Sequence, residues 1–222
     1  MPENILKKII KTKIEKIDLL KKSVSIAKKV VSENQLIAGS IAPIEDCYSP
    51  EIYPGDTKLI NSMESVINWF HQSEVDIILF ETMGNAHEIS RIIFSINNCD
   101  LPVWLSLILK DKNHLLDGTP LYELLETLST SKVEMLLLNC NTIQLTLEAL
   151  STIKRYWTGS WGVYPNLGIN NPEIDGKIEQ IISNETWRYK VNEILFEKPD
   201  IIGACCGSTP EHIRIIKELI EN

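Results

Sequence analysis

Short apolar runs alternate with longer amphipathic runs along most of this chain of 222 residues. The short runs are rich in Val, Ile and Leu, which is typical of buried parallel strands, and the runs between them repeat apolar residues at helical spacing. The predicted strands are 36–41, 75–80, 103–109, 133–138, 160–164 and 201–205. The predicted helices between and after them are 58–72, 86–96, 120–130, 142–156, 174–196 (as one helix or as a broken one) and 210–221. This alternation predicts an α/β protein with a parallel sheet.

The chain before the first strand has a different pattern. Residues 4–33 repeat isoleucine, leucine and valine at helical spacing between many lysines, which predicts a helix with a solvated basic face. With 44% hydrophobic residues the chain can bury a sizeable core without a division into two domains. We therefore expect one domain over 1–222, with 1–34 as an N-terminal helical segment.

Charge and cysteine content restrict the partners. The formal net charge of -8 argues against a nucleic-acid surface, which needs clustered Lys and Arg, and favours small-molecule substrates. The sequence has no apolar run of the roughly 20 residues that span a bilayer and no signal-peptide pattern, so we expect a cytoplasmic protein without membrane contact. Five cysteines is an odd number, and reduced thiols are expected in that compartment.

Polar groups follow most of the predicted strands. They are Gly39-Ser40, Glu81-Thr82, Asn139-Cys140-Asn141, Tyr164-Pro165-Asn166 and Cys205-Cys206-Gly207. Groups at the carboxyl ends of many strands converge if the strands curve around one axis, whereas an open sheet concentrates them at one switch point. This favours a TIM-type (β/α) barrel. It is predicted to be incomplete, because six strand-helix units are found where a closed barrel has eight.

Three cysteines are candidate metal ligands. Cys140 follows an apolar strand, and Cys205 and Cys206 lie between the last strand and a helix start that Ser208 and Glu211 mark as a candidate capping box. Each cysteine taken alone also fits a small buried apolar residue. Together, three thiolates give zinc three protein ligands and leave one tetrahedral position open for a substrate, as in catalytic sites.

The chain resembles the homocysteine S-methyltransferase family from about residue 36 to its C-terminus. The motifs that carry the resemblance are Gly203-Ala204-Cys205-Cys206-Gly207-Ser208-Thr209-Pro210-Glu211-His212-Ile213, Asn139-Cys140, Phe80-Glu81-Thr82, Asp117-Gly118-Thr119-Pro120-Leu121, Val163-Tyr164-Pro165-Asn166 and Ala38-Gly39-Ser40-Ile41-Ala42-Pro43. The family's first strand, with its Asp-Gly pair, and the next strand are not found ahead of Leu36. The resemblance therefore implies either a shortened barrel or a barrel completed by another chain.

What the resemblance implies about function is specific. Cys140, Cys205 and Cys206 become ligands of Zn²⁺, and Glu81 becomes a contact for the amino group of homocysteine. Further candidates for the substrate pocket are Ser106, Asn139 and Tyr164. The implied activity is zinc-dependent methylation of homocysteine to methionine from a sulfonium-type donor. The alternative is a non-catalytic zinc- or thiol-binding module that lost its N-terminal strands.

Two further cysteines, one histidine and the edge of the sheet also bear on the site and the assembly. Cys47 and Cys99 fit incidental thiols better than a fourth ligand. His212, in the first turn of the last helix, fits either a surface histidine or a group behind the metal ligands. The unpaired edge of an incomplete barrel predicts that the chain forms a homodimer or covers the gap with its N-terminal helix.

Overall fold

The structure is a computed structural model that describes residues 16–170, 178 and 180–221. Its α-helices are Lys16–Lys28, Asp56–Gln72, Ala86–Ser95, Leu121–Leu128, Ile143–Tyr156, Asn184–Phe196 and Pro210–Glu221. Its strands are β1 Ala38–Ile41, β2 Ile77–Met83, β3 Val103–Leu107, β4 Leu109–Asp111, β5 His114–Leu115, β6 Val133–Thr142, β7 Ser160–Asn166 and β8 Ile201–Ile202. A short 3-10 helix, Ile96–Asn98, precedes β3.

Six of these strands form one parallel sheet in the order β1-β2-β3-β6-β7-β8. Apart from the small β4-β5 hairpin, each strand pairs with the next one along the chain. A doubly wound sheet reverses its strand order at a switch point, and this sheet does not. The fold is therefore a β/α barrel type, and within the described residues β1 and β8 do not pair. Over the described residues, the prediction of an incomplete barrel with six strand-helix units is confirmed.

The core fills the space between the sheet and its outer helices. The central strands are buried along most of their length because both faces are covered, and this explains their nearly continuous apolar sequences. The helices contribute one apolar stripe each; in Asp56–Gln72 that stripe is Leu59, Met63 and Phe70. Fully buried side chains such as Trp187 and Phe80 complete the packing.

Several predicted boundaries differ from the structure. Strands β2, β6 and β7 continue past 80, 138 and 164, so the polar residues of the site belong to the ends of the strands. The strand predicted to reach 205 ends at Ile202. The sequence pattern ends a predicted strand where its apolar run ends. In the structure, the backbone pairing of these strands continues through the polar residues that follow the apolar run. The β4-β5 hairpin was not predicted.

Two predicted helices lie partly outside the described residues. The helix predicted over 174–196 is described as Asn184–Phe196. The prediction is wrong for residues 178 and 180–183, which are not helical and where Ile181 forms a β-bridge with Gly168, and residues 174–177 and 179 fall outside. The N-terminal helix is described as Lys16–Lys28, and residues 4–15 fall outside. This helix buries Val24, places Lys16 5.9 Å from the ring centre of Trp69 and pairs Lys28 with Glu74 at 2.7 Å. It therefore packs beside the helix Asp56–Gln72. Homodimer formation stays a prediction.

A membrane-spanning segment was not expected from the sequence. Among the described helices, none combines the length and the apolar character needed to cross a bilayer.

Candidate metal centre

Three cysteine sulfurs from two parts of the sheet meet at the carboxyl ends of the strands. Cys140 lies near the end of β6, and Cys205 and Cys206 follow β8, with β7 between the two strands. The Sγ atom of Cys206 lies 3.6 Å from that of Cys140 and 3.9 Å from that of Cys205. All three sulfurs lie within 4.8 Å of one another. Among the described residues no other group of three His, Cys, Asp or Glu side chains converges in this way.

The cluster fits a tetrahedral thiolate site. Zinc-sulfur bonds of about 2.3 Å place two sulfurs of one tetrahedron about 3.8 Å apart, close to the two separations of Cys206. Cys140 and Cys205 are joined as a disulfide, although the sequence predicted reduced thiols. Sulfurs that converge this closely can form a disulfide or share a metal, according to the redox conditions. Metal binding requires all three as reduced thiolates.

The backbone at Cys140 has a left-handed conformation, with φ of 53°. Non-glycine residues rarely adopt it, and surrounding contacts must stabilise it. The pairing of β6 with β7 shifts register at this point, between Asn139 and Thr142. The buried side chain of Asn166 donates from Nδ2 to the carbonyl oxygen of Cys140 at 2.6 Å, and its Oδ1 accepts from the N–H of Gly168 at 2.9 Å. Asn166 thereby holds the bulge that directs the thiol of Cys140 toward the cluster.

A second strained position lies on β2. Thr82 has φ of 61°, and the register between β2 and β3 shifts there as well. The side chain of Asn139 satisfies this bulge: its Oδ1 accepts from the N–H of Thr82 at 2.9 Å and from the hydroxyl of Ser106 at 2.7 Å, and its Nδ2 donates to the hydroxyl of Thr82 at 2.8 Å. Ser106 and Asn139 are fully buried. They connect β2, β3 and β6, and substrate contact by either residue stays a prediction.

Glu81 lies one residue before this bulge, and hydroxyl groups hold its carboxylate on both sides. Ser40 on β1 donates to Oε1, and Tyr164 on β7 donates to Oε2 at 3.3 Å. Burial, followed by the negative charge of Glu81, raises the pKa of Tyr164 well above its usual range, although a hydrogen bond with Ser106 opposes the shift. The phenol therefore keeps its proton and stays a donor to Glu81. The structure brings Glu81 and Tyr164 together, and substrate contact by either residue stays a prediction.

The turn with the two vicinal cysteines is held by backbone hydrogen bonds. The N–H of Cys205 donates to the carbonyl of Pro165 at 2.8 Å, and the N–H of Leu167 donates to the carbonyl of Cys206 at 3.0 Å. Gly207 then has φ of 79°, which glycine adopts without strain. These bonds extend the β7-β8 pairing beyond the end of β8 and fix Cys205 and Cys206 beside the end of β7.

The loop after β1 lies at the same mouth of the barrel. Burial, followed by the charge of Asp46, raises the pKa of the Cys47 thiol, and Cys206 and Glu81 contribute smaller effects. Burial, with a smaller effect of Cys206, raises the pKa of Tyr48 to about 12. Cys47 and Tyr48 are therefore close enough to the site to interact electrostatically with Cys206, and Cys47 also with Glu81. In the sequence, Cys47 was only a cysteine in a loop, and nothing in the pattern placed it near the site. The other unassigned cysteine, Cys99, lies away from the site beside Leu101.

Sequence patterns missed the supporting side chains of the site. The sequence shows polar residues after the strands at Ser40, Thr82 and Asn166. Their spacing does not tell whether each one forms a hydrogen bond that supports another residue or contacts the substrate. Asn141 is a further case, since its buried amide bridges the N–H of Leu109 at 2.8 Å and the carbonyl of Leu107 at 3.1 Å. These roles depend on contacts between distant strands.

An open β/α barrel with three cysteine sulfurs at the carboxyl ends of its strands defines a class of protein with a site whose reduced form suits a soft metal ion. The sequence model of the family described as homocysteine S-methyltransferase matches residues 4–220. The chain therefore belongs to the homocysteine S-methyltransferase family, and the resemblance predicted from its motifs is confirmed.

Individual proteins similar to this chain carry the name of the same family. Homocysteine S-methyltransferase 1 of Saccharomyces cerevisiae is 27% identical over 91% of this chain and 67% of its own length. Homocysteine S-methyltransferase of Escherichia coli is 27% identical over 90% of this chain and 70% of its own length. Among solved structures, the metallated form of the homocysteine methyltransferase MmuM from Escherichia coli superposes with a TM-score of 0.74 at 24% identity, covering 91% of this chain and 70% of that one. This last likeness supports the fold.

Proposed function

We propose that the chain is a zinc-dependent S-methyltransferase that binds homocysteine as a thiolate and methylates it to methionine from a sulfonium-type donor. The observation that carries this proposal is the convergence of Cys140, Cys205 and Cys206 within 4.8 Å. Family membership supports methylation of homocysteine, since the curated relatives are named for that reaction. The cluster of three cysteines, in its reduced form, supports zinc as the metal.

Cys140, Cys205 and Cys206, when reduced, would hold the metal as its three protein ligands and would leave room for a substrate thiol. Zinc bound there would lower the pKa of a coordinated thiol, so that the substrate sulfur is a thiolate at neutral pH. Cys206 is exposed, whereas Cys140 is buried, so the cluster is open to solvent on the side of Cys206. A small thiol can approach the cluster from that side.

Glu81 is proposed to bind the ammonium group of homocysteine. The hydroxyls of Ser40 and Tyr164 orient its carboxylate. Both donors are neutral, so the negative charge of Glu81 stays available for an ammonium group. Tyr164 lies on β7, directly beside β6, which carries Cys140, so the sulfur end and the ammonium end of one small substrate can be bound at the same barrel mouth. This arrangement favours an α-amino thiol over a simple thiol.

A sulfonium donor balances the reaction. The substrate sulfur uses one electron pair to form its new bond to the methyl carbon, and the carbon-sulfur bond of the donor breaks with its electron pair retained by the donor sulfur. A thiolate and a cationic sulfonium thus become two neutral thioethers. An acidic mouth that includes Glu81 and Asp46 suits a cationic donor, and the formal net charge of -8 favours its approach.

The first test is the zinc content of protein purified under reducing conditions, followed by an assay with homocysteine and S-methylmethionine. About one zinc per chain together with methionine formation is the expected result. Folded, reduced protein that binds no zinc would contradict the metal centre. Zinc binding without turnover, with S-methylmethionine or S-adenosylmethionine, would favour the non-catalytic module. The structural argument for that module is that β1 and β8 have free edges among the residues that the structure describes.

Replacing Glu81 with glutamine is expected to weaken homocysteine binding. Loss of the charge-assisted bond to the ammonium should raise the KM for homocysteine about 10- to 100-fold. Zinc content should not change, because Glu81 is not one of the clustered ligands. Steady-state kinetics with homocysteine and with 4-mercaptobutanoate, which lacks the ammonium group, provide the measurement.

The control for this prediction is the second substrate. Glu81→Gln should leave the KM for 4-mercaptobutanoate within about threefold of wild type, since that thiol has no cation to lose. Glu148→Gln, on an outer helix, should change neither value. Equal effects on both thiols would mean that Glu81 acts on the metal site or on folding and does not recognise the ammonium.

A further inference from the structure

His212 is buried, although a histidine in the first turn of a helix at the surface is usually solvated. The residue is 4% exposed, and its ring packs edge-on against Trp187, with ring centres 5.9 Å apart and an angle of 84° between the planes. The indole N–H of Trp187 donates to the carbonyl oxygen of His212 at 3.1 Å. The sequence left open a surface histidine or a group behind the metal ligands, and burial removes the first choice.

The ring of His212 takes part in the cap of the last helix. The backbone N–H of Thr209, directly before the helix, donates to Nδ1 of His212 at 3.0 Å, and the hydroxyl of Thr209 lies 3.0 Å from the same nitrogen. In a capping box the third residue of the helix accepts from the N–H of the capping residue, usually through Glu or Gln. Here the pair is Thr209 and His212, and the predicted pair of Ser208 and Glu211 is wrong because the helix begins at Pro210.

This hydrogen bond fixes the tautomer of the neutral ring. A ring nitrogen that accepts from a backbone N–H carries no proton, so the neutral ring holds its proton on Nε2. Within the described residues Nε2 is buried without a hydrogen-bond partner. An N–H group that is buried without an acceptor costs free energy, so the ring is an unfavourable cap in this respect.

The cap lies next to the vicinal cysteines. Three residues separate His212 from Ser208, whose N–H donates to the carbonyl of Cys205 at 3.2 Å and closes the turn. On its other side this turn is fixed by Pro165 and Leu167 at the end of β7. The cysteine turn is therefore held at one end by the sheet and at the other by the capped helix.

We propose that His212 is a positioning residue of the metal centre, whose Nδ1 fixes the first turn of the last helix and with it the backbone of Cys205 and Cys206. The inference rests on the proposed metal site. Groups that orient ligands without touching the metal change metal affinity by about 10- to 100-fold when they are removed. His212 acts in this way through the backbone, and it touches neither metal nor substrate.

The test compares the zinc affinity of His212→Leu and His212→Gln in the full chain, measured by competition with a chromophoric chelator under reducing conditions. Leucine fills part of the space of the ring but offers no hydrogen-bond acceptor. The zinc affinity of His212→Leu should therefore fall about 10- to 100-fold. Glutamine restores an acceptor at the capping position and should stay within about threefold of wild type. His71→Leu, an exposed histidine on the helix Asp56–Gln72, is the control and should have wild-type affinity.

The outcomes separate the proposal from a purely structural role. Wild-type affinity in His212→Leu, or an equal loss in both variants, would overturn it. If His212→Leu does not fold, His212→Gln and His212→Glu still test the acceptor, and a loss of more than about tenfold in both would overturn it. A wild-type chain without zinc affinity would overturn the metal centre itself, which distinguishes the failure of the proposed function from the failure of this role.

Discussion

Replacing Cys206 with serine is expected to abolish stable zinc binding and methyl transfer while leaving the fold intact. Cys206 is exposed and takes no part in the disulfide between Cys140 and Cys205, so its removal should cost little folding free energy. Loss of one of three protein ligands should lower zinc affinity by more than the roughly 100-fold limit typical of supporting residues. Without the metal, only a few per cent of a free thiol is ionised at neutral pH, and the nucleophile is largely lost.

Elemental analysis, chelator competition and a methionine assay on the same preparation measure this effect. Cys99→Ser is the matched control, because Cys99 lies away from the cluster and should keep full zinc and activity. Thermal unfolding of the metal-free proteins should place both variants close to wild type. Unchanged zinc content in Cys206→Ser would show that the metal is bound elsewhere or by other ligands.

Replacing Asn139 with alanine is expected to destabilise the protein by about 3 kcal/mol, at roughly 1 kcal/mol for each of its three hydrogen bonds. Those bonds join Thr82 and Ser106 to β6, and the N–H of Thr82 belongs to a left-handed bulge that has no other support of this kind among the described residues. The free energy of unfolding in urea, measured with the metal removed, reports the effect. Metal removal is needed because zinc binding would stabilise the folded state.

Ser106→Ala provides the comparison. It removes one of the three hydrogen bonds and leaves Thr82 bonded to Asn139, so the expected loss is about 1 kcal/mol. If both variants lose the same amount, the hydroxyl of Ser106 and not the support of Thr82 dominates the network. If Asn139→Ala loses less than about 1 kcal/mol, the bulge is stable without its buried amide.

The sequence predicted the strands better than their ends. Apolar runs located all six strands of the parallel sheet, because burial on both faces requires continuous apolar sequence. The bulges at Thr82 and Cys140 were not predicted, since a register shift between neighbouring strands leaves no periodic signal in either one. The same reasoning explains the misplaced cap, where Ser208 and Glu211 had the expected spacing but Thr209 and His212 make the bonds.

By itself the sequence determined the α/β class, the identity of the three candidate ligands and the family, because hydrophobic periodicity and short motifs are local properties of the chain. Tertiary structure alone decided that Cys140 meets Cys205 and Cys206 across β7, and that Glu81 lies between Ser40 and Tyr164. It also decided that Asn139, Asn166 and His212 support other residues from buried positions. These roles depend on distances between residues far apart in the chain, which are fixed only when the strands pair and the barrel curves.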